Sequence, residues 1–286
     1  MPSLIDMRRR IKSVRNTEQI TKALKMISAA KLRKAQERAI AARPYAAMLQ
    51  QILANCAEAA GQSPDAGDNP LLAVRPENRI LLVVITADMG KAGGFNANLL
   101  RFAQTFVNER GGKELSFDLI GKKGRDYFRK RGAKIGGEYI DLFRNVRFED
   151  AERIANLIIE RYAKAEIDAV YLFVNEFKSV MASKLFSTRL LPIEVPKATS
   201  TADYIYEQPP GEILASLLPR YIKANIFRAL LESSAAEHAA RMTAMDAAST
   251  NAGEVIDKLT LTMNRVRQAS ITKEIIEVVS GAAAAE

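Results

Sequence analysis

Tryptophan is missing from these 286 residues, cysteine and histidine occur once each, and aromatic residues make up only 7%. Each scarcity excludes something. The lone Cys56 cannot close an internal disulfide, which fits a reducing compartment and an inert, buried thiol. The lone His238 lies in an Ala-rich helical stretch beside Glu237, with no second histidine and no nearby cysteine to complete a zinc site. A Ser-His-Asp set would have to use His238, and no nucleophile elbow accompanies it. No apolar run approaches the roughly 18 residues that span a bilayer. The longest strongly apolar run, Ile80 to Ile85, is of strand length. The opening Met-Pro-Ser-Leu lacks an apolar signal core, so secretion is not expected. Few aromatics and recurrent Ala-rich stretches favour long, narrow helix interfaces over one thick globular core.

Charge of one sign is scarce everywhere except at one end. The net charge is +9, and residues 1–44 carry all of it, with twelve Lys/Arg against three Asp/Glu, so that the other 242 residues sum to zero. Such a segment can meet nucleic acid, anionic lipid or an acidic protein surface. No aromatic residue interleaves it, Tyr45 being the nearest ring, which disfavours a nucleic-acid-binding arm.

What is present is helix at both ends and alternation between them. From Ser3, a plausible N-cap, to about Ala60 the spacing predicts one long helix. Its apolar residues fall at Leu4, Met7, Ile11 and Val14, then at Ile20, Leu24 and Ile27, then at Ala35, Ala39, Ala42, Ala46, Leu49 and Leu53. The stripe slips between Val14 and Ile20, and Pro44 is expected to kink or interrupt the helix near Arg43. Gly61 to Pro70 reads as a linker. Strands are expected at Ile80–Ile85, Ser116–Ile120, Ala169–Val174 and Lys184–Leu191. Helices are expected at about 97–110, 124–131 and 150–165. That alternation argues for a largely parallel α/β layer. After Pro209-Pro210-Gly211 a helical pattern runs to Val279, with Pro219 as a kink or a start. Met242, Met245, Ser249, Ala252, Ile256, Leu259, Met263, Val266 and Ser270 keep steps of three and four, the a and d positions of a left-handed coiled coil.

The predicted fold is therefore α/β plus a long coiled coil. N- and C-terminal helices, residues 1–60 and 210–286, pair antiparallel as a shaft. Residues 61–78 link it to an inserted Rossmann-like domain at 79–209.

The natural place for a phosphate site is the loop Asp88-Met-Gly-Lys-Ala-Gly-Gly-Phe-Asn96. It fails the P-loop pattern, because Ala92 stands where the magnesium-binding Ser or Thr is needed and Ile85 where the first Gly belongs. It also fails G-x-G-x-x-G, since two residues separate Gly90 from Gly93. A tight strand-to-helix turn opening a helix near Asn96 is the simpler reading. Carboxylate pairs occur, but none interrupts an apolar setting, so no carboxylate of shifted pKa is expected. No catalytic, cofactor-binding or metal-ligating residue emerges.

Two terminal motifs give the chain away. The first runs from Arg10-Ile-Lys-Ser-Val-Arg-Asn-Thr-Glu-Gln-Ile-Thr-Lys-Ala-Leu-Lys-Met26 through Ala29-Ala-Lys-Leu-Arg-Lys-Ala-Gln36. The second runs from Glu237-His-Ala-Ala-Arg-Met-Thr-Ala-Met-Asp-Ala-Ala248 to Asn264-Arg-Val-Arg-Gln-Ala-Ser-Ile-Thr-Lys-Glu-Ile-Ile-Glu-Val-Val-Ser-Gly-Ala282. Both closely resemble the γ subunit of F-type ATP synthases, with Gly93-Gly-Phe-Asn96 and Asp203-Tyr-Ile-Tyr-Glu207 as weaker internal matches. Met89 and Lys91 depart from that family's usual Arg and Leu in the loop after the first strand.

The resemblance implies a rotor that transmits c-ring rotation, driven by proton flow, to the three catalytic β subunits, with no active site of its own. It implies α and β subunits, the bacterial ε subunit and the c-ring as partners. No nucleic acid is implied, and membrane association is indirect, through the c-ring. It places Arg267 and Gln268 against loops of the α/β ring, and the basic residues Arg8, Arg9, Lys12, Lys22 and Lys25 against acidic surfaces there. Tyr204, Tyr206 and Glu207 become the foot on the c-ring, and Val278, Val279, Ala283 and Ala284 the bearing tip. The expected location is the cytoplasmic face of a bacterial inner membrane, in preference to the mitochondrial matrix face.

Overall fold

A computed structural model describes residues 3–61, 69–194 and 208–283. Helix α1 spans Leu4–Gly61 and helix α5 spans Pro210–Ala283. Ser3 caps α1 as its sequence position requires. The Asp6 N–H donates to Ser3 Oγ at 3.1 Å, and the Ser3 hydroxyl returns a 2.8 Å bond to the Asp6 carboxylate.

Pro44 does not interrupt α1, nor Pro219 α5; each lies within continuous helix. A proline inside a helix removes one backbone hydrogen bond at a cost of about 3 kcal/mol. Here apolar anchors sit on either side of each. Ala39, Ala46, Leu49 and Leu53 flank Pro44, Leu218 and Ile222 flank Pro219, and all are buried. Tertiary burial of a helix face outweighs local propensity.

The chain divides into two compact units, one formed by Met1–Ser28 with Met242–Glu286 and the other by Ala29–Arg241. Both divisions fall inside the long helices. In the smaller unit the two helices pair antiparallel: Thr21 meets Ser249, and four residues later on α1 Lys25 meets Asp246, three residues earlier on α5.

The slip expected in the α1 stripe is absent. The buried or half-buried positions up to Ser28 are Leu4, Met7, Ile11, Val14, Glu18, Thr21, Leu24, Lys25 and Ser28, so the seam runs on in steps of three and four with Leu24 and Lys25 side by side in one step. The seam keeps its period by accepting polar residues. Ile20 and Ile27, which carry the apolar signal, are 57% and 53% exposed. On α5 the expected seam holds, with Met245, Ser249 and Ala252 buried and Ile256, Leu259, Met263, Val266 and Ser270 half-buried.

In the larger unit a five-stranded sheet has the order β3-β2-β1-β4-β5. Its strands are β1 (Arg79–Ile85), β2 (Glu114–Ile120), β3 (Lys134–Tyr139), β4 (Ala169–Phe177) and β5 (Ser183–Leu191). Only the β4–β5 pairing is antiparallel. The helices between strands are α2 (Phe95–Glu109), α3 (Lys122–Arg129) and α4 (Phe148–Ala163). Strand β3 went unforeseen, because Lys-Ile-Gly-Gly-Glu-Tyr contains two glycines and little apolar alternation.

Strand β1 is covered on both faces, as its continuous apolar run requires. Ile80, Leu82 and Val84 meet Leu99, Leu100 and Ala103 of α2 and Phe128 of α3. Leu81, Val83 and Ile85 join the opposite core, with Ile154 and Ile158 of α4, Ala39 and Leu53 of α1, and Leu218, Ile222, Ile226 and Leu230 of α5. Both terminal helices thus contribute to the core of the α/β layer within this unit. Residues 69–78 are held as well: Ile193 N–H donates to the Leu71 carbonyl at 3.1 Å, and Arg75 to the Tyr162 carbonyl at 2.9 Å.

Gly121, between β2 and α3, has φ +91°, and an added Cβ would lie 2.1 Å from the Thr86 carbonyl oxygen. Only glycine fits that approach. Thr86 Oγ1 there donates to the Ile120 carbonyl at 2.9 Å and accepts the Gly124 N–H at 2.8 Å.

Candidate functional site

In an open parallel sheet the strand order reverses at one point, and ligands ordinarily enter the crevice at the carboxyl ends of the strands there. In this sheet the point lies between β1 and β4. The chain's own helices occupy it. Ser233 of α5 approaches the Ile85 carbonyl at 3.5 Å, at the end of β1. At the end of β4, the Phe177 N–H donates to Glu232 Oε2 at 3.1 Å, and Arg43 of α1 donates to the Phe177 carbonyl at 3.0 Å. Arg43 then closes the triangle with Glu232, Nε to Oε1 at 2.9 Å and Nη2 to Oε2 at 3.2 Å. The Glu232 hydrogen bond holds the Arg43 guanidinium above its ordinary pKa.

The glycine-bearing loop faces the same helix. Arg241 donates to the Gly90 carbonyl through Nε and Nη2, both at 3.4 Å. Asn96 Oδ1 caps the Ala87 N–H at 2.9 Å, and α2 begins at Phe95, so the loop is the strand-to-helix turn its sequence indicated. Lys91, one of the departures from the family pattern, adopts φ +61°.

The expectation that no carboxylate has a shifted pKa is overturned. Glu237 is buried, and burial raises its pKa although Arg241, one helical turn on, bonds it directly. Its Oε2 finds no partner among the described residues. Asp118 is 1% exposed, and burial likewise raises its pKa against the pull of Arg161, 3.2 Å away. His238 is depressed to about 4, first by burial and then by the charges of Arg241 and Lys31. The signal was legible: Glu232 and Glu237 each break an Ala- and Leu-rich stretch of α5, where an acid needs a partner. Arg43, the partner of Glu232, lies 189 residues away in sequence.

The residues singled out by the resemblance lie mostly in the smaller unit. Arg8, Arg9 and Lys12 are exposed on α1, and Arg267 and Gln268 on α5. Lys22 pairs with Glu18 at 2.6 Å, and Lys25 crosses the seam to Asp246 at 2.6 Å. Val278 and Val279 are 72% and 62% exposed. Helix α5 ends at Ala283. Ala284, Tyr204, Tyr206 and Glu207 lie outside the described residues. Among the described residues, no group of His, Cys, Asp and Glu is placed to hold a metal, and no helix is long and apolar enough to cross a membrane.

Terminal helices paired along a heptad seam, with a 3-2-1-4-5 sheet inserted between them and its crevice filled by those helices, define a coiled-coil protein with a helix-plugged α/β insert. A family model described as ATP synthase matches residues 3–285. An ATP synthase gamma chain of Solibacter usitatus is 61% identical over the full length of both chains. A solved chain from the central stalk and c-ring of the Tetrahymena thermophila mitochondrial ATP synthase has TM-score 0.62 and 26% identity, covering 80% of this chain and 99% of its own. One from the Euglena gracilis mitochondrial enzyme has TM-score 0.69 at 18% identity, covering 98% and 94%. The chain belongs to the ATP synthase gamma chain family.

Proposed function

We propose that this chain is the rotor of a proton-translocating F-type ATP synthase and carries no active site of its own. The observation that carries the reading is the seam itself, two terminal helices paired in heptad register; within the larger unit the continuations of the same two helices share a core with the α/β layer. A rotor must move torque along its length without its two strands sliding past one another. The Thr21–Ser249 contact at 2.7 Å and the Lys25–Asp246 pair at 2.6 Å resist such sliding within the coiled coil.

The partners follow from that role. The α and β subunits surround the coiled coil, while the bacterial ε subunit and the c-ring contact the foot, which includes Tyr204, Tyr206 and Glu207. Membrane association is indirect, at the cytoplasmic face. Rotation presents different side chains in turn to three chemically identical β sites. Differential contact is the only way a rotor can bias their affinities, and coupling free energies of this kind run at about 1–3 kcal/mol. Arg267 and Gln268 supply such contacts, since an arginine fork grips a carboxylate at two points. Val278, Val279, Ala283 and Ala284 form a small, uncharged bearing with few directional bonds that could trap one angle.

The test is co-purification of a tagged full-length chain with α and β subunits, followed by ATP-driven rotation of a bead on the assembled complex. A chain that recovers neither subunit overturns the reading.

A further inference from the structure

A second constellation lies in the larger unit, and nothing in the rotor's coupling role uses it. Beside the α1–α5 contact is a cleft of about 190 Å³, bordered by Lys31, Lys34 and Arg38 of α1, Arg144 of the turn before α4, and Ser234 and His238 of α5. Every one of these six side chains can donate a hydrogen bond, and no carboxylate is among the lining residues.

The cations are largely unspent. Neither Lys31 nor Lys34 forms an ion pair with a described residue. Arg144 makes only a 3.8 Å contact with Asp141. Arg38 is held in place by the Val146 carbonyl at 2.5 Å. Glu237, whose ionisation Lys31 favours from a distance, is already bonded by Arg241.

The floor is more telling. Ser234 and His238 are 6% and 7% exposed. The Ser234 hydroxyl donates to no described residue. Arg241 Nη1 lies 3.5 Å from His238 Nδ1, and a guanidinium can only donate, so Nδ1 is the acceptor. The proton of the neutral ring therefore sits on Nε2, which has no partner among the described residues. Two donors that no described residue engages, carried by nearly buried side chains that open into the cleft, lie beside four cations and form a receptor for anionic oxygen. Its volume decides the size class. Sites for drug-sized ligands measure about 300–1,000 Å³, so a cleft of about 190 Å³ suits a phosphate group and is too small to enclose a whole nucleotide.

We propose that this cleft binds a phosphate-class oxyanion, either free inorganic phosphate or the phosphoryl end of a nucleotide whose remainder stays in solvent. Binding would neutralise the cluster and give the Ser234 and His238 donors their missing acceptor.

The sole histidine makes the test specific. The full-length chain, labelled with ¹⁵N-histidine, is titrated near neutral pH with inorganic phosphate, with ADP, and with chloride at matched ionic strength. A saturable shift of the His238 ring resonances with phosphate but not chloride is expected. An equal response to ADP assigns the phosphoryl end as a ligand, and a response to phosphate alone assigns the free ion. Lys31→Gln/Lys34→Gln, at two exposed positions, should weaken half-saturation at least about tenfold with helicity unchanged. Ser234→Ala should weaken it with both lysines intact. A shift that fails to saturate, that chloride reproduces, or that survives both variants unchanged overturns the proposal. So does a shift that appears only on assembly with α and β subunits, which would make the cleft a protein contact.

Discussion

Arg43 and Glu232 meet fork to fork at 2.9 and 3.2 Å, and between them they also hold both backbone groups of Phe177. One ion pair therefore ties α1, α5 and the end of β4 together.

Glu232→Ala leaves a guanidinium and a backbone N–H without their acceptor in a site where Glu232 is 5% exposed. The expected loss is about 2–4 kcal/mol, since removing one member of a buried pair costs more than the pair contributes. Arg43→Ala should cost a comparable amount, because it leaves the Glu232 carboxylate, only 7% exposed, with the Phe177 N–H alone. Chemical denaturation of a double-mutant cycle should return a coupling of about 1 kcal/mol. Additive losses would show that the two act separately.

The polar seam makes an asymmetric prediction. Ser249→Ala alone removes a hydroxyl 2.7 Å from Thr21 Oγ1 and should cost about 1 kcal/mol. Thr21→Val with Ser249→Ala removes both polar groups together and should be neutral or stabilising, read as the melting temperature of the full chain. A double variant less stable than either single would contradict this.

Ile20, Met26 and Ile27 point away from the seam, and all are more than half exposed. Ile20→Gln/Met26→Gln should shift stability by no more than about 0.5 kcal/mol. If this face meets the surrounding ring, the same variant should lower the yield of assembled complex in a pull-down. Unchanged assembly would remove these residues from the contact.

These exposed isoleucines also show where the sequence was hard to read. The paired helices, the parallel sheet and the end-to-end order were legible, because period and β-branched runs are local properties. The continuity of the α1 seam was not. Glu18, Thr21, Lys25 and Ser28 hold seam positions while isoleucines sit outside, so following apolarity invented a slip that following period would have avoided. Strand β3 is set by its neighbour β2 more than by its own glycine-bearing composition. The Arg43–Glu232 pair and the Arg241–Gly90 contact join segments more than 150 residues apart. Only the buried acids of α5, isolated among alanines and leucines, carried a local clue.

His238 gives a pH dependence of defined sign. Its pKa is depressed to about 4 in the folded chain against 6.5 for the free side chain. The stability it contributes is fully present above about pH 6.5 and is lost as pH falls through 4, on the order of 3 kcal/mol. Glu237, raised by burial, acts in the opposite sense, so the contribution is best isolated by difference. His238→Gln should flatten the loss between about pH 6.5 and 4 relative to the parent chain. Parallel curves would show that His238 titrates normally.

Arg267→Ala, on an exposed stretch of α5, should leave the chain's own melting temperature unchanged. In the assembled complex it should lower both ATP hydrolysis and proton coupling. Parental rates in that complex would return Arg267 to the status of a solvated surface charge.

Leu53 of α1 and Leu218, Ile222, Ile226 and Leu230 of α5 sit in one core with Leu81, Val83 and Ile85 of β1. The sheet cannot therefore be transplanted alone. A chimera that exchanges only residues 79–194 with a distant relative would set one lineage's strands against another's helices and strand a row of mismatched leucines. The heritable block is the sheet together with the helical surfaces that roof it, so drift in one should be answered by drift in the other.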